Sequence, residues 1–184
     1  LEWPDAMKLV SATSMLLIAL ALATPAGAAN QYETIDYYIQ HRIAHSSADD
    51  VTGVHTFREQ LENLRRPETE DSARARPLRQ QGSEQLARNN FKEALAAFRQ
   101  AFIADPADPE TAGQLSLAYL RLHRLKEAER LAVYALSLAP TQSATWLTLG
   151  EVYGQTGDAT RAGGAFANAY RFAKDPAPIA EQLQ

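Results

Sequence analysis

The chain contains no cysteine, which excludes disulfides, thiolate zinc sites, a thiol nucleophile, c-type haem attachment and a lipidated cysteine anchor. It also lacks an excess of charge of either sign. Its 18 basic and 22 acidic residues leave a net charge of −4 and a pI near 5.6, which argues against sequence-blind binding to nucleic-acid phosphates. Glycine and proline are scarce, nine of each in 184 residues. Alanine is abundant instead, 34 by count, a balance that favours closely packed helices. At 46% hydrophobic and 22% charged residues, the composition is that of a globular chain with enough apolar surface to build a core.

Long apolar runs are absent except near the N-terminus. From Met7 to Ala29 the chain reads MKLVSATSMLLIALALATPAGAA: one Lys, an apolar stretch densest over residues 15–23, then Pro25 and small residues. A short positive end, an apolar middle and an A-x-A site are the layout of a secretory signal peptide. The expected cut lies between Ala28 and Ala29, with Met7 as the expected start, because Glu2 and Asp5 do not suit an export leader. The destination implied is the periplasm, or the exterior, of a bacterial cell. The rival reading, a retained anchor, is short of the about 20 apolar residues that a span requires.

The second half repeats itself. Ala94, Ala128 and Ala162 stand 34 residues apart, as do Ala101, Ala135 and Ala169, and Pro106 with Pro140. Gly82, Ser116 and Gly150 keep the same step, as do Tyr119 and Tyr153. Three units follow, 75–108, 109–142 and 143–176. Each carries two apolar stretches at helical spacing, such as Leu115, Ala118, Tyr119 and Leu122, then Leu125, Ala128, Leu131 and Ala132. Polar turns separate them. Small residues predict close approach of the paired helices, and Phe98, Tyr119, Trp146, Tyr153 and Phe166 predict the filling between them. Trp146 is expected to be buried.

The third unit reads Trp146-x2-Leu149-Gly150-x2-Tyr153, then Ala162-x3-Phe166 and Ala169. This pattern at a 34-residue step resembles the tetratricopeptide repeat family. Departures are Gln81 and Gln85 at the usual Leu and Tyr positions, Ala132 at the aromatic position, and Lys174 at the proline position. The resemblance implies an all-α right-handed superhelix of three helix-turn-helix repeats, acting as a non-enzymatic protein-interaction module, adaptor or assembly factor. In that family the first helices line a groove that binds a peptide or helix. Carried over residue by residue, the groove holds Arg79, Ser83, Leu86, Gln114, Leu117, Leu120, Arg121, Leu147 and Glu151. A specialised form, the carboxylate clamp for chaperone C-termini, needs Lys, Asn, Asn, Lys and Arg at five positions. Here those are Arg79, Ser83, Gln114, Ala144 and Thr148, so the clamp is not expected.

Residues 29–74 lie outside the repeat phase. They carry 5 basic and 9 acidic residues, against 12 and 11 over 75–184. Tyr32, Ile35, Ile39 and Ile43 predict an amphipathic helix over 31–45; Val51, Val54, Phe57, Leu61 and Leu64 predict a second over 49–66, capped by Asp49 or Asp50. Residues 67–75 read as a charged linker. The expected arrangement is a helical cap on the first repeat, with a free docking arm as the alternative. His41 and His45 share a helix face with Asp49 and Asp50 nearby, but two imidazoles fall short of the three convergent ligands a firm metal site needs. No G-x-S-x-G, P-loop, H-E-x-x-H or G-x-G-x-x-G occurs, so no cofactor or active site is expected. The alternative function is an accessory to a hydrolytic or metal-dependent envelope enzyme through 29–74, or a self-assembling structural unit. Gly163-Gly164 reads as a local weakening of the last repeat helix. The short tail 177–184 predicts an under-capped C-terminal end, with Tyr170 and Phe172 as a contact surface for self-association or a partner.

Overall fold

The computed structural model describes residues 25–69 and 71–182. Among the described residues the chain forms helices and no strands: α1 (Pro25–Ser47), α2 (Val51–Glu62), α3 (Ser72–Ala87), α4 (Phe91–Ala104), α5 (Pro109–Arg121), α6 (Leu125–Leu138), α7 (Ser143–Gln155), α8 (Ala159–Phe172) and the short α9 (Ala177–Gln182). Most of the expected export leader, residues 7–24, lies outside this description. The expected cut at Ala28–Ala29 falls near the start of α1. No described helix is long and apolar enough to cross a membrane.

One turn chemistry closes every hairpin. Asp49, Asn89, His123 and Gly157 all adopt positive φ, 53°, 59°, 56° and 81°. The next residue's N–H then bonds five residues back: Asp50 to His45 O, Asn90 to Gln85 O, Arg124 to Tyr119 O and Asp158 to Tyr153 O. This is the Schellman closure, which satisfies carbonyls that a helix end leaves open. Aspartates start four of the helices, with Asp50, Asp71, Asp108 and Asp158 accepting from Gly53, Arg74, Glu110 and Arg161 N–H groups. Asp71 is also the reason α3 begins ahead of the expected unit boundary at residue 75.

In the first and third units a small residue on the first helix receives a large one from the second. A Cβ on Gly82 would stand 2.5 Å from the Phe98 ring, and one on Gly150 would meet Phe166 just as closely. The middle unit changes both partners together. Ser116 replaces the glycine and Ala132 the aromatic, and the Ser116 hydroxyl donates to Ala128 O at 2.8 Å. The irregular aromatic position is therefore a compensated exchange.

The N-terminal hairpin does not cap the first unit, as the sequence led one to expect. It docks on α6 and α8, in the last two units, with Ile35, Ile39, Ile43 and Leu61 sharing one buried core with Val133, Leu136, Trp146, Leu149, Ala165 and Ala169. The physical reason lies in two departures from the repeat. Between α4 and α6, Tyr134 packs edge-on against Phe102 and donates its hydroxyl to Pro106 O at 2.8 Å. Burial pushes that phenol above its ordinary pKa, which keeps the proton it donates. One unit later the tyrosine position holds Asn168, and Gly164 stands where the second unit has Arg130. Helix α1 fills the space these small residues leave. Arg42 donates to Pro140 O at 2.7 Å, the carbonyl equivalent to Pro106 O, and Asn168 donates back to Arg42 O at 3.4 Å. Ser47 with Thr160 O and Arg171 with Asp49 tie the far end of α1 and its turn to α8.

Arg42 is fully buried. Its guanidinium lies 4.9 Å from the Trp146 ring centroid and 5.1 Å from that of Phe172, an arrangement that offers a desolvated cation two π faces. Burial, and then repulsion from Arg58, push its pKa down to about 9, against an upward pull from Glu62. It stays protonated at neutral pH.

Candidate functional site

With the hairpin on the α6–α8 side, the first helices α3, α5 and α7 form the other face of the array. Contacts across this face join residues about 30 apart. Ser83 and Gln114 are 3.1 Å apart, and Arg121 and Glu151 form an ion pair at 2.7 Å. Arg79 pairs with Asp108 at 3.3 Å. Gln114 donates to Glu110 at 3.2 Å, and Gln142 reaches the same carboxylate at 3.4 Å.

These pairs leave a diagonal of leucines between them. Leu86, Leu117 and Leu147 are separated by 31 and 30 residues, the same offsets as Ser83–Gln114 and Arg121–Glu151. All three are half-buried and pack against the core clusters beneath. The face thus carries an apolar stripe with the Ser83–Gln114 contact on one side and the Arg121–Glu151 pair on the other. Its two arginines are already neutralised by neighbours. Eight of the nine residues assigned to the groove sit on this surface. Leu120 does not: at 1% exposure it belongs to the core, because the middle helix is covered by a unit on each side. Of the clamp positions, Thr148 is buried and its hydroxyl donates to Ala144 O in its own helix at 3.0 Å.

The histidines serve packing. His41 stacks on Phe57 at 4.8 Å and His45 does so at 5.3 Å. His45 Nδ1 also meets Asp50 at 2.8 Å, and Gly53 is the residue that leaves room for it, since a Cβ there would overlap the imidazole. Hydrogen bonds from the Gly53 N–H and then from His45 hold the Asp50 carboxyl below its ordinary pKa. Asp49 is occupied by Arg171. Among the described residues, no group of three or more His, Asp or Glu could hold a metal ion.

A second feature has no counterpart in the sequence reading as a cavity. An open cleft of about 1000 Å³ lies along α8, lined by Gly154, Gly163, Phe166, Ala167 and Tyr170, by Ser46 and the Asp49–Arg171 pair, and by Ala180 of α9. The C-terminal surface expected of Tyr170 and Phe172 is therefore divided. Tyr170 is 51% exposed at the cleft, whereas Phe172 is half-buried beneath Arg42.

The sequence profile of the tetratricopeptide repeat matches residues 85–133. No curated protein matches the chain at a significant level. Similar solved structures include the first TPR of Spaghetti (RPAP3) bound to the HSP90 peptide SRMEEVD, at TM-score 0.55 and 19% identity, covering 62% of this chain and 97% of that one. The Sgt2 TPR domain from Aspergillus fumigatus gives TM-score 0.54 at 20% identity, covering 62% and 82%. The crystal structure of MamA gives TM-score 0.50 at 15% identity, covering 80% and 87%. The array α3–α8 has the fold of tetratricopeptide repeats, and residues 85–133 carry that repeat's sequence as well.

Proposed function

We propose that the chain is a non-enzymatic protein-interaction module that holds a peptide or helix against α3, α5 and α7. The observation that carries this reading is the Leu86–Leu117–Leu147 stripe, half-buried and bordered by polar groups that already satisfy one another. A surface of this kind gains most from a ligand that covers the leucines. It offers no free pair of cations for a terminal carboxylate, so an amphipathic segment with apolar anchors suits it better than an acidic tail. The neighbour bound to an HSP90 peptide supports a protein ligand in general.

Covering the exposed remainder of two leucines contributes about 2 kcal/mol, about a thirtyfold change in affinity. A Leu86→Gln/Leu117→Gln variant should therefore lose the partner that the wild type captures from a cell-envelope extract, while its circular dichroism spectrum stays the same. Equal capture by the two proteins would move the binding site elsewhere.

The sequence pattern over residues 7–29 supports an exported adaptor, scaffold or assembly factor in a bacterial envelope. Sequencing the N-terminus of the exported protein should then begin at Ala29 or within a residue or two of it. A protein retaining Leu16 to Leu22 and fractionating with membranes would make it an anchored module.

A further inference from the structure

The array has one interface that it uses twice, and among the described residues the third copy of that interface, on α8, lines an open cleft. In each of the first two units the second helix receives the first helix of the next unit. Leu115 and Tyr119 of α5 share a core with Phe98 of α4. Trp146, Leu149 and Tyr153 of α7 share one with Ala132, Val133 and Leu136 of α6. One step of 34 further, the same positions on α8 are Phe166, Ala167 and Tyr170, and these line the cleft. Leu136 is fully buried, but Tyr170, its counterpart, is 51% exposed. Helix α9, Ala177–Gln182, buries Ile179 in the core that α8 shares and lines the cleft through Ala180. The N-terminal hairpin packs on α8 through Gly164 and Asn168 and borders the cleft at Ser46 and Asp49, where Asp49 pairs with Arg171.

We propose that this end is a second binding site, which accepts in trans an amphipathic helix of a heterologous partner. The partner is identified by the interface it continues. The helices received at the two internal seams read Ala112-x2-Leu115-Ser116-x2-Tyr119 and Trp146-x2-Leu149-Gly150-x2-Tyr153. The occupant is therefore a helix with apolar, leucine, small and aromatic residues at i, i+3, i+4 and i+7. Gly154, Gly163 and Ala167 supply the hollows for its large side chains, and Phe166 and Tyr170 supply apolar walls. A second copy of this chain cannot extend the array head-to-tail in the same way. Its leading helix α3 carries Gln81 and Gln85 at the leucine and aromatic positions, and two amides pressed against Phe166 and Tyr170 would lose their water without gaining partners. Helix α3 thus presents glutamines where α8 would need apolar side chains against Phe166 and Tyr170.

The chain supplies its own probe. A labelled synthetic peptide of residues 143–155 should bind the full protein saturably in fluorescence anisotropy. Its Leu149→Gln/Tyr153→Gln form, which imitates α3, should bind about tenfold more weakly or worse. Tyr170→Glu in the protein should weaken the wild-type peptide by a similar factor. Gly163→Leu should do the same by filling the hollow, where an added side chain meets open space and the fold is left intact. The Leu86→Gln/Leu117→Gln variant should bind the peptide as the wild type does, which separates this site from the leucine stripe. Absence of binding, or equal binding to the Tyr170→Glu protein, overturns the proposal. Sedimentation should show a monomer across the same concentrations. A dimer that Tyr170→Glu dissolves would overturn the heterologous partner and seat a second copy there.

Discussion

Trp146→Ala should lower the unfolding free energy by about 3–5 kcal/mol, a large part of the roughly 5–15 kcal/mol that a domain of this size has. The expectation rests on what the indole joins. It is fully buried in the core shared by α1, α6, α7 and α8, and its Nε1–H donates to Pro140 O at 2.9 Å. Its face also covers the Arg42 guanidinium. Truncation would open a cavity and strip a buried cation of one of its two rings, so the repeat interface and the docked hairpin should loosen together. Urea unfolding followed by circular dichroism should show the lower midpoint. Trp146→Phe keeps most of the volume and loses one hydrogen bond, which costs about 1 kcal/mol. A wild-type midpoint for Trp146→Ala would contradict the burial of the indole beneath Arg42.

The repeats are readable in the sequence because their physics is local and periodic. A small residue facing a large one at a fixed step, with left-handed turn residues at 89, 123 and 157, leaves a pattern in one sequence without comparison to others. The leucine stripe is readable for the same reason, since it follows from the helix register. Leu120 falls wrongly into it because its register position matches that of half-buried Leu86; only the neighbours on both sides of α5 distinguish them. The hairpin is readable as two amphipathic helices, and Ile35, Ile39, Ile43, Val54 and Leu61 are all buried as their spacing requires. Where it docks is not readable from those residues. An apolar face states that it will be covered and says nothing of which surface covers it. The signal lies far along the chain, in Gly164 and Asn168, two small residues that depart from their repeat counterparts. The reading of Gly163-Gly164 as a locally weakened helix misses what the second glycine does, which is to admit α1 against α8.

Those two neighbours give the sharpest contrast. Gly163 is exposed and an added Cβ there meets nothing within 4 Å, so Gly163→Ala should stabilise the protein by about 1 kcal/mol through helix propensity alone. Gly164 is buried against α1. A Cβ at that position would overlap the Ile43 carbonyl oxygen and lie 2.5 Å from Ser47 Oγ and 2.7 Å from Ile43 Cγ2. The first of these is helix backbone and cannot swing aside. Gly164→Ala gains the same propensity and should still lose stability, because relieving such overlap costs about 1–3 kcal/mol. Gly164→Val adds bulk and should push α1 off α8. The array itself would survive, since Gly164 takes no part in the contacts of Phe166 with Gly150 or of Trp146 with Pro140. Hydrogen exchange should then show the amides of α1 and α2 losing protection while those of α4 to α7 keep most of theirs. The buried Arg42 and Ile39 would meet water, and the segment 63–69 that follows α2 would become a preferred site of proteolysis. If the two alanine substitutions shift stability in the same direction and by the same amount, α1 does not rest on Gly164, and the docking of the hairpin on α8 is wrong.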